Sequence, residues 1–124
     1  GIADAQIDST PIVCITGQVP SHLLGSDAFQ ETDIIGISMP VTKWNYQITK
    51  ASEIPEIFAK AFYIAKSGRP GPVLIDITKD AQFELFDFKY SIREPSLHPI
   101  SIIFDFESIT SEIILNSFVL LIKF

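Results

Sequence analysis

The stretch GSDAFQE, residues 25–31, puts an aromatic ring, an amide and two carboxylates on one short segment. Phe29 can form an apolar wall, and the amide of Gln30 can both donate and accept hydrogen bonds. Further along, Lys79 follows the apolar run VLIDIT and places a cation at the end of that run. Each residue also has an ordinary alternative. Phe29 could plug the core, Gln30 could fasten its own loop, and Lys79 could be the solvated end of a strand.

Two short apolar runs precede these residues and indicate what positions them. PIVCITG and VLIDIT are rich in β-branched residues, as is typical of strands buried on both faces of a parallel sheet. Ligands of such sheets bind outside the carboxyl ends of the strands. The loop after PIVCITG and Lys79 after VLIDIT are therefore expected to share one cleft.

The remaining elements predict helices packed on a sheet. TKWNYQI alternates, with Trp44, Tyr46 and Ile48 on one side, and is predicted to be a strand. GIADAQIDS is typical of the last turns of a helix, and IIGISMP of a short helix that ends at Pro40.

The clearest predicted helix is ASEIPEIFAKAFYIAKSG, with Ser52 as candidate N-cap and Gly68 as its terminating glycine. Its predicted apolar face consists of Ile54, Ile57, Phe58, Ala61, Phe62 and Ala65. The alternation of strands and helices predicts an α/β fold, a three-layer αβα sandwich with a parallel sheet.

Composition restricts the class of protein. The chain has 124 residues, 47% of them hydrophobic and 19% charged, which is typical of one globular domain. Its net charge is -6 and its nine basic residues are scattered, which argues against nucleic acid as a partner. No segment reaches the roughly 20 apolar residues of a membrane helix, so no membrane partner is expected. No signal peptide is visible.

Cysteine and histidine usage gives no sign of a metal site. The single cysteine, Cys14, lies in an apolar run and is interpreted as a buried, inert thiol. His22 and His98 are far apart and lack ligand partners, so the metal prediction is none. Asp76, flanked by isoleucines, is interpreted as a buried structural carboxylate rather than a catalytic acid.

The character of the chain changes after about residue 90. All six glycines lie within residues 1–71, and SIREPSLHP is typical of a linker. The apolar tail is compatible with a helix followed by a strand. We expect residues 1–90 to be a partial domain and residues 91–124 to be a linker and divergent tail.

Four motifs, in this order, carry a resemblance to a known family: TGQVP, GSDAFQE, PVTK and GRPGPVLIDITKD. In this order and spacing they resemble the amino-terminal, pyrimidine-binding domain of the catalytic subunit of acetolactate synthase, also called acetohydroxyacid synthase. The resemblance covers residues 1 to about 90. GRPGPV alone is less specific, because it is similar to segments found across thiamine-diphosphate enzymes.

The resemblance implies a thiamine-diphosphate-binding fold and a carboligation reaction. The family condenses two pyruvates, or pyruvate and 2-oxobutyrate, with loss of carbon dioxide, in valine, leucine and isoleucine biosynthesis. Its cofactors are thiamine diphosphate, Mg²⁺ and FAD, and the Mg²⁺ ligands belong to a domain outside this sequence. The implied partners are a second copy of the subunit across the active site and a regulatory small subunit. The implied location is the bacterial cytoplasm, or a plastid in a eukaryote.

The resemblance also implies roles for individual residues. Gln30, Phe29 and Lys79 match active-site positions. By this resemblance, Gln30 is expected to contact thiamine diphosphate, and the cation of Lys79 to attract a carboxylate substrate. Ser9 and Arg69 match FAD-contacting positions, where a guanidinium suits a diphosphate or a flavin carbonyl. On the residues alone, Arg69 could instead be a turn-stabilising surface charge, and Ser9 a turn or cap residue. Positions of the substrate channel are matched by Pro20, Gly25, Ala28 and Lys43.

Some features depart from the family pattern. The family's essential glutamate would lie upstream of Gly1, so we expect residues 1–124 alone to have no synthase activity. Trp44 stands where histidine is more usual, and Thr78 where proline is. The alternatives are a non-catalytic truncated paralogue or pseudogene product, or another thiamine-diphosphate enzyme such as glyoxylate carboligase or pyruvate oxidase.

Overall fold

The structure is a computed structural model that describes residues 1–88 and the backbone of residues 119–123. Within these residues, one mixed sheet carries helices on both faces. The α-helices are α1 (Ile2–Ile7), α2 (Ile34–Ser38), α3 (Ile54–Lys66) and α4 (Lys79–Phe83). The strands are β1 (Ile12–Gln18), β2 (Trp44–Ile48), β3 (Pro72–Thr78) and β4 (Val119–Lys123). The predicted αβα layering is confirmed.

The sheet order is β2-β3-β1-β4, and its first three strands are parallel. The β1–β3 pairing runs from Ile12 opposite Pro72 to Gln18 opposite Thr78. The two predicted buried strands are thus nearest neighbours, and their carboxyl ends lie side by side. The carboxyl ends of β1 and β3 form what we call the carboxyl edge, and the opposite side is the amino edge.

Helix α3 covers one face of the sheet, as its apolar spacing predicts. Its fully buried Ala61 and Ala65 pack with Val13 and Ile75 of the central strands and with Ile48 of β2. All six residues of the predicted apolar face belong to this core or pack against it. Gly68 adopts a positive φ of 56° directly after the Ser67 C-cap, the conformation that glycine supplies at helix ends.

The other face of the sheet carries a smaller core and a polar band. Ala5 of α1 packs with Cys14 and Leu74, so Cys14 is buried as predicted, and burial raises the pKa of its thiol. Toward the carboxyl edge, Asp76 is fully buried and accepts hydrogen bonds from Thr16 Oγ1 at 2.7 Å and Gln47 Nε2 at 2.8 Å. It therefore joins three strands, which confirms the structural interpretation of this carboxylate.

One helix boundary differs from the prediction, and a 3-10 turn follows another. Ser52 is not the N-cap of α3, because a 3-10 turn over Ala51–Glu53 leads directly into the helix. The Glu53 carboxylate instead accepts from the backbone N–H of Thr49 at 3.2 Å. The α-helix α2 ends at Ser38, with Met39 as its C-cap directly before Pro40, as predicted, and a 3-10 turn over Met39–Val41 follows it. A proline near the start of a turn loses no hydrogen bond.

The end of the chain adds a strand to the sheet. β4 pairs antiparallel with β1, from Ile12 opposite Lys123 to Thr16 opposite Val119. This agrees with the predicted strand near the end of the tail. The predicted helix before it and His98 lie outside the described residues, and the division at residue 90 stays a prediction.

Candidate active site at the carboxyl edge of the sheet

A loop of residues 19–33 connects β1 to α2 and carries most of the predicted site residues; we call it the display loop. A 3-10 turn over Ser21–Leu23 follows Pro20, and none of residues 19–33 is buried. The loop therefore lies on the carboxyl edge with its apolar residues Val19, Leu23 and Leu24 only half-buried.

Phe29 and Gln30 project from the far part of the display loop. Phe29 is 89% exposed, so the alternative that it plugs the core is wrong. Gln30 is exposed, and its amide makes no hydrogen bond within residues 1–88, so Gln30 does not fasten the loop. Both side chains are free to contact a ligand or another protein surface.

Three loop residues have backbone conformations with positive φ: Gly25 at 78°, Asp27 at 54° and Gln30 at 66°. For residues other than glycine this region costs roughly 1–2 kcal/mol per residue. The conformation of Asp27 and Gln30 must therefore be offset by other interactions.

Glu31 supplies such interactions. Its carboxylate accepts hydrogen bonds from the backbone N–H of Gly25 and, at 3.0 Å, from that of Ala28. These bonds, led by the one from Gly25, lower the pKa of Glu31. The charged carboxylate closes the segment on itself.

A second carboxylate joins the display loop to the turn after β3. Asp80 accepts a hydrogen bond from the backbone N–H of Ser21 at 3.0 Å and another from the Ser21 hydroxyl. The hydroxyl bond is the main reason why the pKa of Asp80 is lowered far below its usual range. Lys79, directly before Asp80, is exposed and begins α4 rather than simply ending the strand. The predicted proximity of the loop and the lysine turn is thus confirmed by this direct contact.

Ser9 and Arg69 meet at the amino edge. Arg69 Nε donates to Ser9 Oγ at 2.8 Å, and its terminal nitrogen donates to the carbonyl of Ile7 at 2.9 Å. Ser9 has a positive φ of 56°, so this contact supports a tight turn between α1 and β1. The geometry agrees with the turn-stabilising alternative. Contact with FAD stays a prediction.

Lys43 also lies at the amino edge. Its ammonium donates to the carbonyls of Ile64 and Ser67, the latter at 2.7 Å, at the carboxyl end of α3. Its backbone N–H donates to the carbonyl of Pro72, where β3 begins. Strand β3 has seven residues and spans about 20 Å, so this chain does not bring Lys43 to Phe29 and Lys79. Its place in a substrate channel stays a prediction.

Two negative findings concern metals and membranes. Among residues 1–88 the structure holds no group of three or more potential metal-ligating side chains. The described part of the chain also contains no helix with the length and hydropathy to cross a membrane.

Sequence reasoning did not identify the residues that hold the display loop. Besides Glu31 and Asp80, Gln18 bridges the loop, since its Nε2 donates to the Thr32 carbonyl at 2.7 Å and its Oε1 accepts from Val19 N at 2.9 Å. The polar residues at the carboxyl ends of two neighbouring strands were the available signal. The partner of each one was not readable from the sequence.

Comparison with known proteins points to one family, although no family model matches the chain. The chain is 56% identical over 102 residues to the acetolactate synthase large subunit of Corynebacterium glutamicum. It is also 56% identical over 88 residues to the isozyme 1 large subunit of Escherichia coli, and 50% identical over 97 residues to the chloroplastic acetolactate synthase 2 of Nicotiana tabacum.

These matches cover 81%, 71% and 77% of the chain but only 16%, 16% and 15% of the respective relatives. The chain thus spans about one sixth of the length of the curated relatives it matches. Identity at this level, over most of the chain, confirms the resemblance carried by the four motifs. Over the matched stretch, the chain belongs to the acetolactate synthase large-subunit family.

Proposed function

We propose that this chain is the part of an acetolactate synthase that supplies the display loop and the lysine turn to the active site. The observation that carries the proposal is the exposure of Phe29, Gln30 and Lys79 on one edge of the sheet, in a chain with this identity to synthases. The proposed reaction is the condensation of two pyruvates, or of pyruvate and 2-oxobutyrate, with loss of carbon dioxide.

The three residues have complementary roles in this proposal. Phe29 excludes water from one side of a small 2-oxo acid, which strengthens the electrostatic interactions around it. The Lys79 ammonium attracts and orients the substrate carboxylate. The Gln30 amide, uncommitted within residues 1–88, donates to or accepts from a cofactor.

The residues fit two of the family's cofactors. Gln30 would contact thiamine diphosphate, which supplies the chemistry that makes the carbonyl carbon of a 2-oxo acid nucleophilic. Arg69 and Ser9 would contact FAD, since the guanidinium is exposed and has five N–H donors, more than the two bonds it makes here. For Mg²⁺, the proposed ligands belong to another domain of the full-length protein.

The proposed partners follow from the relatives. Some are named large subunits, which supports assembly with a small regulatory subunit. We propose that a second copy of the chain covers the carboxyl edge. Phe29 is 89% exposed in this chain, and its ring can exclude water from a substrate only when another surface covers it. Bacterial and chloroplastic relatives support the bacterial cytoplasm or a plastid as the location.

A chimera tests the proposal. In the Corynebacterium glutamicum large subunit, the matching stretch is replaced by residues 1–88 of this chain, and acetolactate formation from pyruvate is measured. We expect activity from the chimera, its loss in Gln30→Ala and Lys79→Met versions, and none from residues 1–124 alone. Chimeras that assemble at the parent's size yet form no acetolactate would instead support the non-catalytic alternative.

Binding of thiamine diphosphate provides a second readout. The cofactor should raise the melting temperature of the chimera, and Gln30→Ala should reduce that increase. Lys66→Met, a substitution of an exposed cation on α3, serves as the matched control for Lys79→Met and should leave activity unchanged.

A further inference from the structure

No residue of the display loop is fully buried. Val19, Leu23 and Leu24 are half-buried, and residues 25–27, 29 and 30 are exposed, so hydrophobic burial contributes little to holding the segment that carries Phe29 and Gln30. Two residues other than glycine, Asp27 and Gln30, have positive φ and add backbone strain. Without further interactions, such a segment would sample many conformations.

Two carboxylates provide these interactions at separate points. Glu31 receives the backbone N–H groups of Gly25 and Ala28, on either side of Asp27. Asp80 receives both donors of Ser21, across 59 residues of sequence. Hydrogen bonds to a charged acceptor are roughly twice as strong as neutral ones.

We propose that Glu31 and Asp80 are positioning residues, which together fix the conformation in which the display loop presents Phe29 and Gln30. Glu31 sets the shape of the segment from residue 25 to residue 31. Asp80 sets where the loop begins, and it joins the loop to the turn that carries Lys79. Neither carboxylate needs to touch substrate or cofactor.

Each carboxylate lies next to one of the proposed site residues in the sequence. Glu31 is adjacent to Gln30, so its bonds act directly on the strained part of the loop. Asp80 is adjacent to Lys79, so a single contact fixes the loop relative to the lysine. The lowered pKa of each carboxyl group agrees with a carboxylate that is charged in its bonded state.

Amide hydrogen exchange on residues 1–124 tests the proposal directly. In Glu31→Gln, which retains one acceptor oxygen instead of two, the Gly25 and Ala28 amides should exchange about tenfold faster. The amide of Val73 in the core should be unaffected, because the change is local. Glu56→Gln, at an exposed carboxylate in the first turn of α3, is the matched control.

The contact between Ser21 and Asp80 is tested by a double-mutant cycle. Ser21→Ala and Asp80→Ala should each accelerate exchange of loop amides, and the double variant should add little to Asp80→Ala alone. Ser21→Thr retains the hydroxyl and should restore protection. Asp87→Asn, at an exposed carboxylate beyond α4, is the control. Additive effects in the cycle, or unchanged exchange in Glu31→Gln, would overturn the proposal.

The consequence for turnover rests on the proposed function. When only a fraction of loops is competent, apparent affinity for a ligand of the loop falls by that fraction. In the chimera, Glu31→Gln should therefore raise the thiamine diphosphate concentration at half-maximal activity about tenfold, and saturating cofactor should restore kcat.

The two proposals can fail separately. An inactive parent chimera refutes the proposed function, while the exchange measurement still decides whether the carboxylates hold the loop. Accelerated exchange in a chimera whose cofactor dependence does not change would show that the loop conformation has no bearing on the site. That outcome also overturns the positioning role.

Discussion

The two edges of the sheet use their polar residues differently. At the amino edge, Lys43 and Arg69 donate to backbone carbonyls of helix α3 and of residue 7. At the carboxyl edge, Phe29, Gln30 and Lys79 are exposed, and carboxylates hold the backbone beneath them. At the amino edge, cationic side chains bond to the backbone of the fold. At the carboxyl edge, carboxylates bond to the loop backbone, and the side chains of Phe29, Gln30 and Lys79 stay exposed.

The direction of the parallel strands explains this difference. Helix α3 ends at the amino edge, where its last carbonyls have no partner within the helix and favour a cation such as Lys43. At the carboxyl edge, β1 and β3 lead into loops whose N–H groups have no strand partner and donate to carboxylates instead. Cations therefore stabilise the fold at one end of the sheet and anions at the other. Lys79, a cation at the carboxyl edge, has no such structural role among residues 1–88 and is exposed.

Substitution of Asp76 should have the largest effect on stability, because this carboxylate joins three strands. Asp76→Ala removes the acceptor shared by Thr16 and Gln47 and leaves two donors unpaired, at about 2–3 kcal/mol of unfolding free energy. Asp76→Asn retains one acceptor and should cost less. Urea unfolding followed by Trp44 fluorescence measures this, with Asp87→Ala as control. Equal stability of all variants would show that the joined strands do not depend on this carboxylate.

A pair of lysine substitutions tests the comparison itself. Lys43→Met retains the aliphatic chain that packs against Gly71 but removes two charged hydrogen bonds, and should cost about 1–2 kcal/mol. Lys79→Met should leave the stability nearly unchanged and abolish activity of the chimera. The same urea titration measures both variants. If Lys79→Met destabilised the chain more than Lys43→Met, the division of labour between the edges would be wrong.

The elements that sequence predicted well have local signals. Helix α3 was predictable because its apolar residues recur at helical spacing, and each one does face the core. Strands β1 and β3 were predictable because β-branched residues are enriched in strands. The shared edge followed from the direction of parallel strands, and the contact of Ser21 with Asp80 confirms it.

The parts that sequence did not predict depend on contacts between distant residues. Nothing near Lys43 indicates that its ammonium meets the end of a helix more than 20 residues later. Ser52 has the right type for an N-cap, but a preceding 3-10 turn displaces the helix start to Ile54. A local pattern specifies a preference, and the tertiary structure decides whether that preference is used.

Acid should loosen the carboxyl edge before it unfolds the chain. Glu31 and Asp80 have lowered pKa values in the folded state, so their stabilisation is complete above the ordinary pKa values of 4.5 and 3.8. It is lost as the pH falls below this range toward the folded values. Protection factors of the Gly25 amide, measured between pH 6 and pH 3, should fall while that of Val73 persists. Glu31→Gln should abolish this decrease in protection. If the Gly25 amide of the variant still lost protection in acid, a group other than Glu31 would be responsible.

Phe29 should show the smallest effect on stability, and this result would separate display from packing. Because its ring is 89% exposed, Phe29→Ala should change the unfolding free energy by less than about 0.5 kcal/mol. Phe58→Ala, which removes a ring packed against the core beneath α3, should cost about 2 kcal/mol in the same titration. A large cost for Phe29→Ala would mean that the ring packs on the chain in solution. A negligible cost, together with loss of activity in the chimera, would mean that the ring contributes nothing to the fold of this chain and acts through a contact outside it.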